Sequence, residues 1–251
     1  MTHTTQQQFD GSLAKSQSAT AIDIKPLITV TETSSPPQKD SDYTSRGVKK
    51  ATASDPIRNP GDIKRIADYL ETHGKTTWYG LRNRMAFVLG VTTGLRASDL
   101  LKLRIRDVIR DDGTFVDHLL IREKKTKKTN DPKLGEEAQR SIYKFLSERK
   151  DWTPDDYLIR TERGGKMSSN QFYDIISSTQ EALKLPYHIG THTMRKTYGY
   201  WTIRNNPNDS MALTHLQHMF NHTSMQTTLT YCGISRDEED KYYDSMNEMF
   251  E

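Results

Sequence analysis

The sequence predicts a mainly α-helical fold with one small antiparallel β-sheet, an α+β domain, behind a polar leading segment. Three observations predict it. From Asn59 onward, apolar residues recur at helical spacing in segment after segment. Only one region reads as paired strands, the stretch after the turn Asp111-Asp112-Gly113. Residues 1–53 are rich in Ser, Thr, Gln and Asp, with a Pro36-Pro37 step. Such a composition buries too little apolar surface to offset the entropy of ordering.

Residues 1–53 are therefore expected to form a disordered tail, interrupted by one apolar island of Ile22, Ile24, Leu27, Ile28 and Val30. The folded domain is expected over 54–251. Asn59-Pro60-Gly61-Asp62 reads as a helix start, and Ile63–His73 carries the helical apolar period to a stop at Gly74. A second helix runs from Tyr79 to a stop near Thr92-Thr93-Gly94. A third opens at Arg96 or soon after, with Leu100, Leu101 and Leu103 as its buried side. Residues 115–123 and 128–134 flank a lysine run, which places Lys124, Lys125, Lys127 and Lys128 on a hairpin tip. Helices follow at about 135–149, 168–184, 192–204, 208–219, 224–231 and 234–249. The last is amphipathic, with Tyr242, Met246 and Met249 on one side. The chain has no internal repeat.

The chain of 251 residues suits one substantial domain plus a tail. Its net charge is only +3, so the distribution of charge says more than the sum. One basic cluster is the lysine run at 124–128; another is Lys102, Arg104, Arg106 and Arg110. A single cysteine, Cys232, excludes a disulfide framework and a cysteine-based zinc site. No apolar run is long enough to span a bilayer, and the N-terminus lacks the blocks of a signal peptide. The expectation is a soluble, cytoplasmic protein without a membrane partner.

Five residues carry a chemical signal: Arg96 in TTGLRASDLLKL, His192 and Arg195 in THTMRKTYGYW, His222 in MFNHTSMQ, and Tyr231 in TTLTYCGI. Arginines hold phosphate oxygens in a bidentate fork. A tyrosine can attack phosphorus and hold it covalently. Arg96 follows a turn glycine at a helix start, where backbone N–H groups favour an anion. His192 and Arg195 are three apart and share a helix face. A free phenol, with a pKa near 10, is a poor nucleophile at neutral pH, so Tyr231 needs arginine charge and a hydrogen-bonding histidine. The lysine run can contact a DNA backbone, and one lysine can protonate an alkoxide leaving group.

Each residue alone has an ordinary structural reading, and the twelve tyrosines make any one uninformative. The i,i+4 histidine pairs 188/192 and 218/222, with His215, invite a metal reading. It is set aside because no carboxylate or cysteine is spaced with them; no metal is expected.

As an ordered set, these motifs resemble the tyrosine recombinase (phage integrase) family over roughly residues 55–245. TTGLRASDLLKL is similar to its first arginine box. The His-x-x-Arg of 192–195, the turn at 221–224 and a tyrosine nine residues after His222 are similar to its second. The resemblance implies roles. Arg96 and Arg195 would clamp the scissile phosphate, and Tyr231 would be the nucleophile, giving a 3′-phosphotyrosyl link. His192 would act as general base or phosphate ligand, and His222 would hydrogen-bond a non-bridging oxygen. Lys125 best matches the hairpin general acid, with Lys127 and Lys128 as alternatives. No cofactor is implied, because the phosphotyrosyl bond conserves the energy of the broken one. The implied partner is double-stranded DNA, bound by a homotetramer. The implied function is site-specific recombination: integration, excision or inversion. Competing readings are supercoil relaxation in the manner of a type IB topoisomerase, hairpin-end resolution, and a DNA-binding regulator without catalysis.

Two departures from the family pattern stand out. Asn221 occupies a position that is usually glycine, and asparagine tolerates the left-handed conformation such a turn needs. The tail is short and polar where the family carries a helical core-binding domain, so the expected plan is a catalytic domain behind a disordered leader. The terminal helix, 234–251, would dock on a neighbouring protomer or pack on its own domain. Tyr242 and Tyr243 lack the histidine context of Tyr231.

Overall fold

The computed structural model describes residues 54–122, 129–149 and 151–250. The tail expected over 1–53, and Lys124, Lys125, Lys127 and Lys128, lie outside the described residues. What is described is mainly helical, with one two-stranded antiparallel sheet.

Helix α1 (Pro60–Thr72) begins where the sequence places it. The Asn59 side chain accepts the Gly61 N–H at 2.8 Å, and Pro60 occupies a first-turn position that needs no N–H. Helix α2 (Thr77–Thr93) buries Leu81, Met85, Phe87 and Leu89 and forms the centre of the domain. It packs against α1, α4 (Glu136–Glu148) and α6 (Thr193–Asn205). Gly94 ends α2 in the left-handed region, at φ 62°, and donates its N–H to the Gly90 carbonyl.

Helix α3 (Ala97–Leu100) is a single turn, shorter than Leu100, Leu101 and Leu103 imply. All three leucines are buried. The helix stops because Leu103 is drawn into extended pairing: its carbonyl accepts the Leu158 N–H at 2.8 Å, beside a bridge between Arg104 and Tyr157. Strands β1 (Ile121–Arg122) and β2 (Thr129–Asn130) pair antiparallel, Ile121 opposite Asn130 and Arg122 opposite Thr129. Residues 123–128 connect them, so the lysine run joins two paired strands.

Helix α5 (Ser169–Ala182) opens with a capping box formed by Ser168 and Gln171. Helices α7 (Ser210–Phe220), α8 (Met225–Cys232) and α9 (Ile234–Asn247) complete the fold. The buried residues form two clusters. The larger gathers α1, α2, α4 and α5 with the residues around the sheet. The smaller holds Tyr200, Leu216, Met219, Phe220, Cys232 and Ile234, with Tyr231 packed against it. Helix α6 joins them, giving Met194 to the first and Tyr200 to the second.

The segment before α1 lies along α6. Ile57 is buried; its N–H donates to Thr197 Oγ1 and its carbonyl accepts Trp201 Nε1–H, both at 2.9 Å. The start of α9 is anchored on the same side. Asp237 accepts from Arg58 Nε at 2.7 Å and Arg204 Nη2 at 3.0 Å. Burial pushes its carboxyl pKa up, but these arginine bonds prevail and hold it below the usual range. Further along α9, Tyr242 and Met246 are exposed, as is Met249 in the 3-10 turn Glu248–Phe250 that follows it, so that side does not pack on its own domain. No helix among the described residues is long and apolar enough to cross a membrane.

Two backbone positions set the geometry around α8. Asn221, at φ 56° and ψ 48°, turns the chain at the end of α7. The His222 N–H returns to the Gln217 carbonyl at 3.0 Å and the Asn221 N–H to His218 at 3.1 Å, a Schellman pairing. Gly199 lies against α8, where an added Cβ would meet Cys232 Sγ at 2.5 Å and Phe220 at 3.0 Å. Both neighbours are buried and cannot swing aside. Gly199→Ala should therefore destabilise the domain by about 1–3 kcal/mol, read as a lower urea midpoint. Asn221→Val should cost about 1–2 kcal/mol in the same assay. Asn221→Gly should stay within about 1 kcal/mol of the parent.

Candidate active site

The Schellman turn explains where the two arginines attach. The carbonyls of Gln217 and His218 are taken by the turn. The next two, Met219 and Phe220, point to the arginines: Arg195 Nη2 donates to Met219 at 3.2 Å and Arg96 Nη2 to Phe220 at 3.1 Å. Arg195 Nη1 donates to the Gly94 carbonyl at 2.6 Å. Arg195 thus joins the C-terminal ends of α2 and α7, where helix carbonyls lack partners and the helix dipole is negative. It is buried, and its guanidinium carbon lies 4.2 Å from the centre of the Phe220 ring. Arg96 stands at the N-cap of α3, a single turn.

The other three residues converge on these arginines. His192 caps α6, and its Nδ1 lies 3.2 Å from the Tyr231 hydroxyl. A neutral imidazole unprotonated at Nδ1 accepts that hydrogen. Tyr231 sits in the last turn of α8. Its ring meets His222 edge-on at 5.0 Å between centroids and Phe220 at 5.5 Å. His222 Nδ1 lies 3.1 Å from Thr228 Oγ1, which fixes the imidazole plane. Five of the six expected residues therefore form one cluster, and Lys125 lies outside the described residues. Thr129, Asn130 and Asp131, which follow the lysine run, share a cleft of about 310 Å³ with His215, His218, Met219 and Asn221. The strand leaving the lysine run therefore faces the turn that carries His222.

Both aids expected for Tyr231, arginine charge and a hydrogen-bonding histidine, are present, and burial still outweighs the charges. Burial pushes the Tyr231 phenol above its ordinary range, and the charges of Arg195 and Arg96 oppose this without overcoming it. The cations are in place, yet the phenol stays protonated at neutral pH. His192 shifts down, through partial desolvation and then the charges of Lys196, Arg195 and Arg96. His222 shifts down through burial, Arg195 and Arg96. Both imidazoles are neutral near pH 7.

The second basic cluster of the sequence is largely engaged within the fold. Lys102 pairs with Asp99, Arg106 with Asp155 and Arg110 with Asp117. His215 and His218 are exposed on α7. Among the described residues, no group of three or more His, Cys, Asp or Glu is placed to hold a metal ion. Sequence reasoning passed over Lys196, whose Nζ lies 5.2 Å from the centre of the Tyr231 ring. The signal was available, since Lys196 is one helical turn from His192.

Comparisons with known proteins agree with this arrangement. The profile of the phage integrase family matches residues 59–238. The probable integrase/recombinase YoeC of Bacillus subtilis is 33% identical over 183 residues, covering 72% of this chain and 91% of that protein. The tyrosine recombinase XerC of Pelobacter propionicus is 28% identical over 183 residues, covering 73% of this chain and 58% of that one. The crystal structure of the XerH site-specific recombinase bound to a palindromic difH substrate superimposes with a TM-score of 0.59 at 18% identity. It covers 76% of this chain and 53% of XerH, and at that identity the likeness is one of fold. The chain thus spans little more than half the length of XerC and XerH. With the motifs, the clustered site and the matched profile in agreement, the chain belongs to the phage integrase family of tyrosine recombinases.

Proposed function

We propose that the chain cleaves and rejoins DNA as a site-specific recombinase, through a 3′-phosphotyrosyl link at Tyr231. The observation that carries the reading is the Tyr231 hydroxyl, 3.2 Å from His192 Nδ1 and beside two arginines hung on one helix end.

Arg96 and Arg195 bind the non-bridging oxygens of the scissile phosphate and stabilise the charge of the pentavalent transition state. The Tyr231 oxygen attacks phosphorus while His192 Nδ1 takes the phenol proton. The bond from phosphorus to the 5′ oxygen breaks, and Lys125 protonates that oxygen to give a free 5′-hydroxyl. His222, whose ring plane is fixed by the contact of its Nδ1 with Thr228 Oγ1, hydrogen-bonds a non-bridging oxygen of the phosphate. In the reverse direction, a 5′-hydroxyl of the partner strand gives its proton to Lys125 and attacks phosphorus, the bond to the Tyr231 oxygen breaks, and His192 returns its proton to the phenol. No residue in this scheme calls for a metal or cofactor.

Lys124, Lys127 and Lys128 contact the DNA backbone beside the site, so affinity falls steeply with salt. Four protomers assemble on two DNA sites. The exposed Tyr242 and Met246 of α9, with Met249 in the turn after it, suit docking on a neighbour in that assembly. Support for double-stranded DNA comes from relatives solved with it: XerH with difH, the Tn1549 integrase with transposon end DNA, and λ integrase with a core site.

The test is covalent trapping on a pool of nicked duplexes with a randomised central site. The parent should give an adduct that survives denaturing detergent, and Tyr231→Phe should give none while still binding DNA. A full-yield adduct in the Phe variant overturns the reading. Relaxation of plasmid without site dependence would favour the topoisomerase reading instead.

The pH profile follows from the imidazole. His192 acts when neutral, and its pKa lies below the ordinary 6.5. The single-turnover adduct rate should therefore rise with pH, with its acidic midpoint below 6.5, and level off by neutrality. His192→Ala should slow the step by about 100-fold or more and remove that limb.

A further inference from the structure

We propose that Lys196 is a positioning residue for the cleavage step, an ammonium over the face of the Tyr231 ring that keeps the phenol against the base His192. The inference rests on Tyr231 being the nucleophile. Lys196 Nζ lies 5.2 Å from the centre of the Tyr231 ring, within reach of the ring's negative face. On α6 it sits four residues after His192, which bonds the Tyr231 hydroxyl. One helical turn thus holds both ends of the phenol, its oxygen through His192 and its ring through Lys196.

The surroundings support an ammonium at this place. Lys196 is half-buried, over the Tyr231 ring of α8 and within electrostatic range of Asp55 and Arg58 of the leading segment and of Cys232. Burial lowers its pKa, Arg58 adds to that, and Asp55 opposes it. Asp55 is itself fixed: its N–H donates to the His188 carbonyl at 2.8 Å, and its carboxylate accepts the His188 N–H at 3.3 Å. The Cys232 thiol also opposes the downward shift of Lys196, but burial pushes it up to about 12, so it is neutral at pH 7 and that contribution enters only at alkaline pH.

Lys196 also acts on the base. After desolvation, its charge is the largest cause of the low His192 pKa, ahead of Arg195 and Arg96. Removing the ammonium should raise that pKa and reduce the neutral imidazole below pH 7. The same charge would thus fix the nucleophile's ring and keep its base unprotonated. This separates Lys196 from a lysine that only contacts phosphate.

The experiment compares Lys196→Met and Lys196→Arg with the parent chain. The His192 imidazole is titrated by long-range 1H–15N NMR in the DNA-free protein. Adduct rate and binding affinity are measured on the pool of nicked duplexes. Lys196→Met should raise the His192 midpoint, slow adduct formation about tenfold and move the acidic limb to higher pH, with affinity unchanged. Lys196→Arg, which keeps a cation over the ring, should stay within about threefold of the parent. The proposal is overturned if the His192 titration is the same in Lys196→Met and the parent, or if the Arg variant is as slow as the Met variant. It is also overturned if the Met variant loses affinity with a shallower salt dependence, which would make Lys196 a phosphate contact. Where Lys196→Met unfolds, Lys196→Gln takes its place; unfolding of both assigns a structural role and likewise overturns it. A parent chain that forms no adduct would overturn the nucleophile assignment, while the NMR comparison would still decide the part concerning His192.

Discussion

The rest of the site depends on how one helix end is tied. Helix α7 stops in a Schellman turn that consumes the carbonyls of Gln217 and His218 and leaves those of Met219 and Phe220 for Arg195 and Arg96. Taking a guanidinium out of water costs several kcal/mol unless its hydrogens are satisfied. Backbone carbonyls accept three such hydrogens, those of Gly94 and Met219 from Arg195 and that of Phe220 from Arg96. A helix C-terminus carries roughly half a negative charge, which is enough to hold an arginine and too little to neutralise it. Arg195 reaches Gly94 at the end of α2 as well, so one buried cation fastens the two hydrophobic clusters together. The residue that gives the site its charge is also a brace of the fold.

That arrangement fixes the protonation states around Tyr231. Two arginines near a phenol are often read as enough to ionise it. Here burial of the ring outweighs them, and the phenol stays above its ordinary pKa. Burial, and then the same cations, drives both imidazoles toward neutrality, with Lys196 adding its charge at His192. The resting site therefore holds a protonated nucleophile and an unprotonated base in contact. A bound phosphate would bring negative charge to the arginines, and attack would proceed with the proton passing to His192. This is a different route to reactivity from a preformed phenolate. Without a bound phosphate, the phenol keeps its proton.

Much of this was legible in the sequence, and the limits have physical causes. Asn59-Pro60, Gly94 and Asn221 announce their caps and turns through local backbone chemistry, and each stands where local rules place it. The helical period found α1, α2 and the C-terminal helices because their apolar spacing is strong. It overestimated α3, since the pairing of Leu103 with Leu158 is a contact between distant segments that no local pattern carries. The site residues could be named from motif order. Their attachment to the carbonyls of Gly94, Met219 and Phe220 could not, because backbone acceptors carry no residue signature. The direction of the Tyr231 shift could not be read for a related reason: charge can be counted from sequence, but burial needs the fold.

The proposed nucleophile is also mechanically placed at a junction. Tyr231 lies in the last turn of α8, and Gly233, at φ 79°, is the one residue between α8 and α9. The first turn of α9 is held by Asp237, bonded to Arg58 of the leading segment and Arg204 of α6. Beyond it the helix and the turn after it present Tyr242, Met246 and Met249 to solvent. A force on that exposed end has few places to dissipate before it reaches Asp237 and the single glycine hinge. Helix α8 has only eight residues, and its packing rests on a close approach between Gly199 and Cys232. The contact between His192 and the Tyr231 hydroxyl, at 3.2 Å, is near the outer limit of a hydrogen bond. A small rotation of α8 would break it. If Tyr231 is the nucleophile, covering the exposed end of α9 would bear on its reactivity through that contact, alongside the charges around the phenol.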